Sequence, residues 1–217
     1  MTRTGEAARP SLDLEPESFA DTVQLYKKQI IIGAIVVAVA VAGGWMYYRS
    51  VDIKETRAAE AYAAAEMAFG AGNAALAQPE LERVFSRYAG TTAGTQSAML
   101  LAQLLFDQGK HADGLAHVQR ALDKSPEALK PGLLSLMGSG HEAAGDSKAA
   151  ADAFQRAAAA TDFATEKDQL RMSAARNLMA AGDVAAARKI YEEIAGRDDS
   201  EYAGEARVRL GEAMVKS

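Results

Sequence analysis

Asp107-Gln108-Gly109-Lys110, Ala143-Ala144-Gly145-Asp146 and Ala180-Ala181-Gly182-Asp183 place a glycine at steps of 36 and 37 residues, each between Ala-rich, helix-forming stretches. Five residues after each glycine stands a small residue, Gly114, Ala150 or Ala187. Nine after stands a larger apolar one, Val118, Phe154 or Tyr191, and twelve after come Ala121, Ala157 and Ile194. Eight before are Leu101, Met137 and Ala174, seven before are the small residues Ala102, Gly138 and Ala175, and four before are Leu105, His141 and Leu178. This is the logic of paired antiparallel helices. Small residues sit where two helix backbones cross closely, and the larger residue fills the gap to the next pair. Glycine supplies the backbone freedom that the tight connection between the helices needs.

The spacing matches the tetratricopeptide repeat, with a slightly longer period and without the usual aromatic residues of the first helix. Pro126, after the second helix of its unit, fits as well. A more degenerate unit precedes these three, with Ala58 to Phe69 as its first helix and Pro79 to Tyr88 as its second. At the far end Leu210-Gly211 repeats the large-small step 36 residues after Ala174-Ala175, in a segment, Tyr202 to Lys216, read as a capping helix charged on one side. The expected fold is all-α: an α-solenoid of tetratricopeptide-like helix pairs over residues 49–217, behind a single N-terminal transmembrane helix.

That helix is the run Ile30 to Tyr48, 19 residues without a charge. At 1.5 Å per residue it spans about 28 Å, close to the hydrocarbon thickness of a bilayer. Lys27 and Lys28 bound it on one side, and Trp45, Tyr47, Tyr48 and Arg49 form an aromatic and basic edge on the other. Ala40-Val41-Ala42 has the form of a signal-peptidase site, but the tail before the run is long and acidic, and the run continues past that point, so it is read as a retained anchor. Lysines and arginines are balanced across the run, and charge alone leaves its orientation open. Residues 1–29 form a tail: Met1 to Pro16 read as disordered, and Phe19, Val23 and Tyr26 read either as one face of a short amphipathic helix or as a frayed turn before the anchor. Within the anchor Ala34, Ala38 and Ala42 recur every fourth residue, as a membrane-helix contact face or as plain filler.

A net charge of −5 with no Lys/Arg-dense stripe argues against nucleic acid. The absence of cysteine excludes disulfides, thiolate metal sites and cysteine nucleophiles. His111, His117 and His141 show no ligand spacing, and the glycine-rich Gly70-Ala71-Gly72 and Gly138-Ser139-Gly140 carry no phosphate-binding lysine. The expectation is a non-enzyme with no cofactor, no metal and no small-molecule substrate. What remains is a protein-binding surface on the first helix of each pair, the concave side. By phase its members are Gln96, Met99, Gln103 and Phe106, then Ser135, Ser139 and Glu142, then Gln169, Met172, Arg176 and Met179. Two readings of the methionines stand: adaptable contact surface, or core between repeats.

Gly43-Gly44-Trp45-x-Tyr47 closing the anchor, followed by the helix Arg57-Ala58-Ala59-x-Ala61-Tyr62 and degenerate repeats, resembles the YfgM-type ancillary subunits of the SecYEG translocon, over about residues 17–217. The resemblance implies a bacterial inner-membrane protein with a cytoplasmic N-terminus and a periplasmic repeat domain. It further implies a scaffold whose partners are translocon subunits and a periplasmic chaperone. Two alternatives share the fold: an envelope-biogenesis or cell-division scaffold, and a repeat adaptor facing the cytoplasm.

Overall fold

The computed structural model describes residues 19–215. Among them all regular structure is helical: α1 (Phe19–Gly70), α2 (Ala74–Tyr88), α3 (Thr92–Asp107), α4 (His111–Leu122), α5 (Lys130–Ala143), α6 (Ser147–Ala160), α7 (Ala164–Ala180), α8 (Val184–Ala195) and α9 (Ala203–Val215), with a single 3-10 turn at Glu127–Leu129. The tail Met1 to Pro16, the side chains of Phe19 and Val23, and Lys216 lie outside the described residues. The chain divides into two compact units, Met1–Ser50 and Val51–Ser217.

In the first unit α1 holds the stretch that is, among the described residues, long and apolar enough to cross a membrane, with a mean hydropathy of 2.2. Its large side chains, from Ile31 to Tyr48, pack on nothing in this unit and are exposed. At its end the Arg49 guanidinium lies over the Trp45 ring, 5.3 Å from its centroid, and Tyr47 and Tyr48 meet edge to face.

In the second unit the last part of α1 pairs with α2, α3 with α4, α5 with α6 and α7 with α8, and α9 follows on α8. The sequence explains the pairing at its turns. Gly72, Gly109, Gly145 and Gly182 all adopt positive φ, between 70° and 84°. In each turn the next residue's N–H reaches back to a carbonyl near the helix end: Asn73 to Ala68, Lys110 to Leu105, Asp146 to His141 and Asp183 to Leu178, at 2.8–3.0 Å. That is the Schellman closure, for which a left-handed glycine is the unstrained choice. Three of those same residues then start the following helix. Asn73, Asp146 and Asp183 accept N–H bonds from Leu76, Ala149 and Ala186 at 3.1–3.2 Å, while Lys110 offers no such cap. One two-residue device thus ends one helix and begins the next.

The register read from three glycines extends to a fourth, Gly72, 37 residues before Gly109. Asn73 therefore starts the second helix of the first unit at Ala74, five residues ahead of the expected Pro79, which lies inside α2. The repeat positions behave alike in all four pairs. Ala77, Gly114, Ala150 and Ala187 are buried, as are Leu81, Val118, Phe154 and Tyr191, and so are Val84, Ala121, Ala157 and Ile194. Full burial of a side chain such as Leu81 or Leu133 contributes about 1.5–3 kcal/mol. The core runs as three clusters along the stack: one joins α1, α2 and α3, a central one extends from α2 to α7, and the last joins α7, α8 and α9.

Polar ties lock both ends. The Glu55 carboxylate accepts the Thr92 N–H at 3.2 Å, supplementing Thr91 at the start of α3. At the other end the buried Asp168 of α7 accepts a bond from Ser200 Oγ at 2.6 Å and pairs with Arg197, both in the α8–α9 connection. Burial pushes the Asp168 carboxyl up, but the bonds from Arg197 and Ser200, with the charges of Arg197 and Arg171, outweigh it and hold the group below the usual range.

Candidate protein-binding surface

The sequence-selected residues fall at four positions of the repeat, counted back from the turn glycine, and the structure treats those positions differently. Thirteen and six residues before the glycine the side chains stand in solvent: Gln96 and Gln169, then Gln103, Ser139 and Arg176 are exposed. Ten before, the helix face turns inward. Met99 and Ser135 are half-buried, and Met172 is 1% exposed, enclosed by Ala175, Ala187, Tyr191, Ile194 and Ala206. Met172 is thus not a surface residue: it belongs to the core that α7 shares with α8 and α9. Three before, Glu142 is exposed, while Phe106 and Met179 are half-buried.

Phe106 is the larger correction to the open-face expectation. A Cβ at Gly114 of α4 would lie 2.4 Å from the ring, and one at Gly140 of α5 would lie 2.4 Å from its far end. The ring is wedged between two backbones that only glycine leaves open, and it stacks on His111 at 6.1 Å. Phe154 uses Gly138 in the same way one unit later, with ring atoms 2.9 Å from the missing Cβ. Phe106 therefore packs unit against unit, and Met99 leans on the same central core. The open stripe narrows to Gln96, Gln103, Ser139, Glu142, Gln169 and Arg176.

That stripe is polar and rich in amides. Ser139 and Ser173 turn their hydroxyls back to the carbonyls of Ser135 and Gln169, and Arg176 donates to Ser173 Oγ at 3.0 Å. Arg176 also lines a cavity of about 320 Å³ with Met179, Ala180, Tyr191, Arg209 and Glu212, between α7, α8 and α9. A larger cavity of about 480 Å³ opens elsewhere, with Ala158, Ala159 and Ile190 as apolar wall and Lys167, Arg171, Lys189 and Glu193 around it. Sequence reading missed it, since its residues come from three helices in no common phase. In the first unit Ala34, Ala38 and Ala42 lie on one side of α1 with Val37, Val41 and Trp45, all exposed.

The titratable groups have packing environments. His117 is buried edge-on to Phe85, with Arg120 Nη2 2.8 Å from its Nδ1. Burial and the Arg120 charge push its pKa down against the weaker pull of Glu82 and Asp113. Tyr62 is raised to about 12 by burial and by its bond to Glu66. Among the described residues no three of His, Cys, Asp and Glu gather as metal ligands would.

The fold and its open stripe define a helical-repeat protein of the kind that binds other proteins. The chain belongs to the tetratricopeptide repeat-like domain family, whose profile matches residues 23–136, more than half of its length. Solved structures agree on the fold. A Podosopora anserina protein of nearly identical TPR-like repeats, assigned as a kinesin light chain, is 15% identical and superposes with a TM-score of 0.58, covering 73% of this chain and 86% of its own. A point variant of that protein gives 0.57 over 73% and 85%. A thermophilic TPR protein of Thermus thermophilus is 16% identical, with a TM-score of 0.51 over 90% of this chain and 98% of its own. No curated protein sequence matches the chain.

Proposed function

We propose that this chain is a single-pass scaffold of the bacterial inner membrane that presents its repeats to protein partners in the periplasm, as an ancillary subunit linking the SecYEG translocon to a periplasmic chaperone. In this reading residues 1–29 are the cytoplasmic tail, 30–48 the membrane helix and 49–217 the repeat domain. One observation carries it: the family match starts at residue 23, ahead of the apolar stretch, and runs through the first repeats, so the family unit contains both. The charge-free Ile30 to Tyr48 run with its aromatic edge supports the anchor. The sequence resemblance supplies the orientation and the partners. The polar stripe from Gln96 to Arg176 is the surface assigned to partner contact, and large polar-rimmed faces of stacked repeats suit that task.

Protease added to spheroplasts tests the topology: the repeats should be digested, leaving a small N-terminal fragment in the membrane. A protected repeat domain refutes the orientation. Photocrosslinkers at Gln103 and Arg176, compared with Arg120 and Arg156 on the second helices, test the partner surface. Crosslinks to translocon subunits or a periplasmic chaperone from the first pair alone are expected. Equal yields from both pairs would move recognition elsewhere, with the Ala34, Ala38 and Ala42 face of the membrane helix as the next site to probe.

A further inference from the structure

The repeat departs from its own pattern at the cavity between α6, α7 and α8. One unit earlier the same register positions are filled and their charges are paired. Leu122 of α4 and Leu134 of α5 are buried there in the central core, Lys130 pairs with Glu127, and Asp152 pairs with Arg156 at 3.8 Å. One unit on, at the same distances from the turn glycines, stand Ala158, Arg171, Lys167 and Lys189. The two leucines are replaced by an alanine and an arginine, and the aspartate by a lysine. At these positions the cavity of about 480 Å³ opens, with Ala158, Ala159 and Ile190 as its apolar wall. Arg171 of α7 is neutralised by Glu193 of α8. Among the described residues the ammonium groups of Lys167 and Lys189 have neither an ion pair nor a hydrogen bond. Two uncompensated cations thus rim an apolar cavity, in a chain whose net charge is −5.

We propose that this crevice is a second protein-binding site, which takes a short acidic segment of a partner in which one apolar side chain is flanked by two carboxylates. The apolar side chain enters beside Ala158, Ala159 and Ile190, and the carboxylates pair with Lys167 and Lys189. A volume of about 480 Å³ lies within the range of pockets that enclose a ligand of a few residues. Lysines on two different helices match two separate carboxylates, whereas a phospholipid headgroup offers one compact phosphate. The crevice is also distinct from the open stripe. At about 100° per residue, Lys167 lies about 160° around α7 from Gln169, and Arg171 about 140° from Arg176. A partner held here leaves the stripe free, so the two sites stand or fall separately.

The probe is a biotinylated peptide, Ser-Gly-Glu-Leu-Glu-Gly-Ser, with photo-leucine in place of its leucine, irradiated with the full-length protein in dodecylmaltoside micelles. Mass spectrometry should map the crosslinks to residues 155–159 of α6 and 186–190 of α8. Lys167→Glu combined with Lys189→Glu should cut the yield about ten-fold, since two attractions become repulsions. The same charge change placed elsewhere, Lys124→Glu with Lys148→Glu at two exposed sites, should leave the yield unaltered. Ala159→Leu, at an exposed position of the cavity wall, should obstruct entry and lower the yield without a change of charge. Helical content of each variant is compared first, and the matched lysine control shows that a loss is not a general effect of added acid. Equal crosslinking by a peptide with glutamine for glutamate, labelling spread outside the crevice, or a yield indifferent to Lys167→Glu with Lys189→Glu overturns the proposal. So does displacement of the probe by glycerol phosphate at a concentration at which the unlabelled peptide fails, which would assign the crevice to a phospholipid headgroup.

Discussion

Gly140→Ala should couple strongly to Phe106. A methyl group at Gly140 would lie 2.4 Å from the Phe106 ring, about 1 Å inside ordinary contact, and the ring's retreat is limited by Gly114, where an added Cβ would likewise fall 2.4 Å from it. Overpacking of this kind costs about 1–3 kcal/mol, while replacing a mid-helix glycine by alanine gains about 1 kcal/mol. The net expectation for Gly140→Ala is a loss of about 0–2 kcal/mol. Phe106→Ala removes the obstacle, so in that background Gly140→Ala should stabilise by about 1 kcal/mol, and the sign of the substitution reverses. The coupling energy of the double-mutant cycle should therefore be about 1–3 kcal/mol. It is measured by urea unfolding of the full chain in mild detergent, followed by far-ultraviolet circular dichroism. A coupling below about 0.5 kcal/mol, the range of independent sites, would refute the wedge.

Ala150→Leu and Ala187→Leu, both at 0% exposed crossing points, should each cost about 1–3 kcal/mol, with exposed Ala159→Leu close to neutral, read from the same unfolding curves. Asp168, held below the usual carboxylate range, contributes stability that is full above its unfolded pKa and is lost as pH falls through the folded one. Asp168→Asn should be less stable at neutral pH and should flatten the acid limb below about pH 4 in a pH series of unfolding midpoints. His117 is depressed too, so its unfolded form binds the proton first and stability falls as pH drops below about 6.5; His117→Gln should remove that slope, and an unchanged slope would exclude the residue as its source.

Three turn glycines were enough to read the helix pairing, because a Schellman closure leaves a mark at fixed distance from the residues that cross. Gly72 carries the same mark, at 37 residues and with Asn73 as cap, but the helix before it offers Ala64-Ala65, which like Ala174-Ala175 and unlike Leu101-Ala102 or Met137-Gly138 gives no large-small step. The candidate face was legible only in part. Periodicity within one helix places Phe106 beside Glu142 and Met179, yet its surroundings are set by Gly114 and Gly140 on two other helices. Met172 shares its phase with Met99 and Ser135, and the core that α7 shares with α8 and α9, invisible to periodicity within α7, is what buries it. The residues that read correctly as exposed, such as Gln103 and Arg176, are those whose position no neighbouring helix overlies.

The turns within and between pairs differ in what they tolerate. Within a pair the connection is always three residues, 71–73, 108–110, 144–146 and 181–183, and it carries a helix end and a helix start at once. Between pairs it is three residues at 89–91 and 161–163 but seven at 123–129 and 196–202. Length can therefore drift between units while it is frozen inside them. An inserted epitope tag or reporter domain belongs in 123–129, away from the Asp168 tie that anchors 196–202, and a single residue added beside Gly145 would undo two helix ends together.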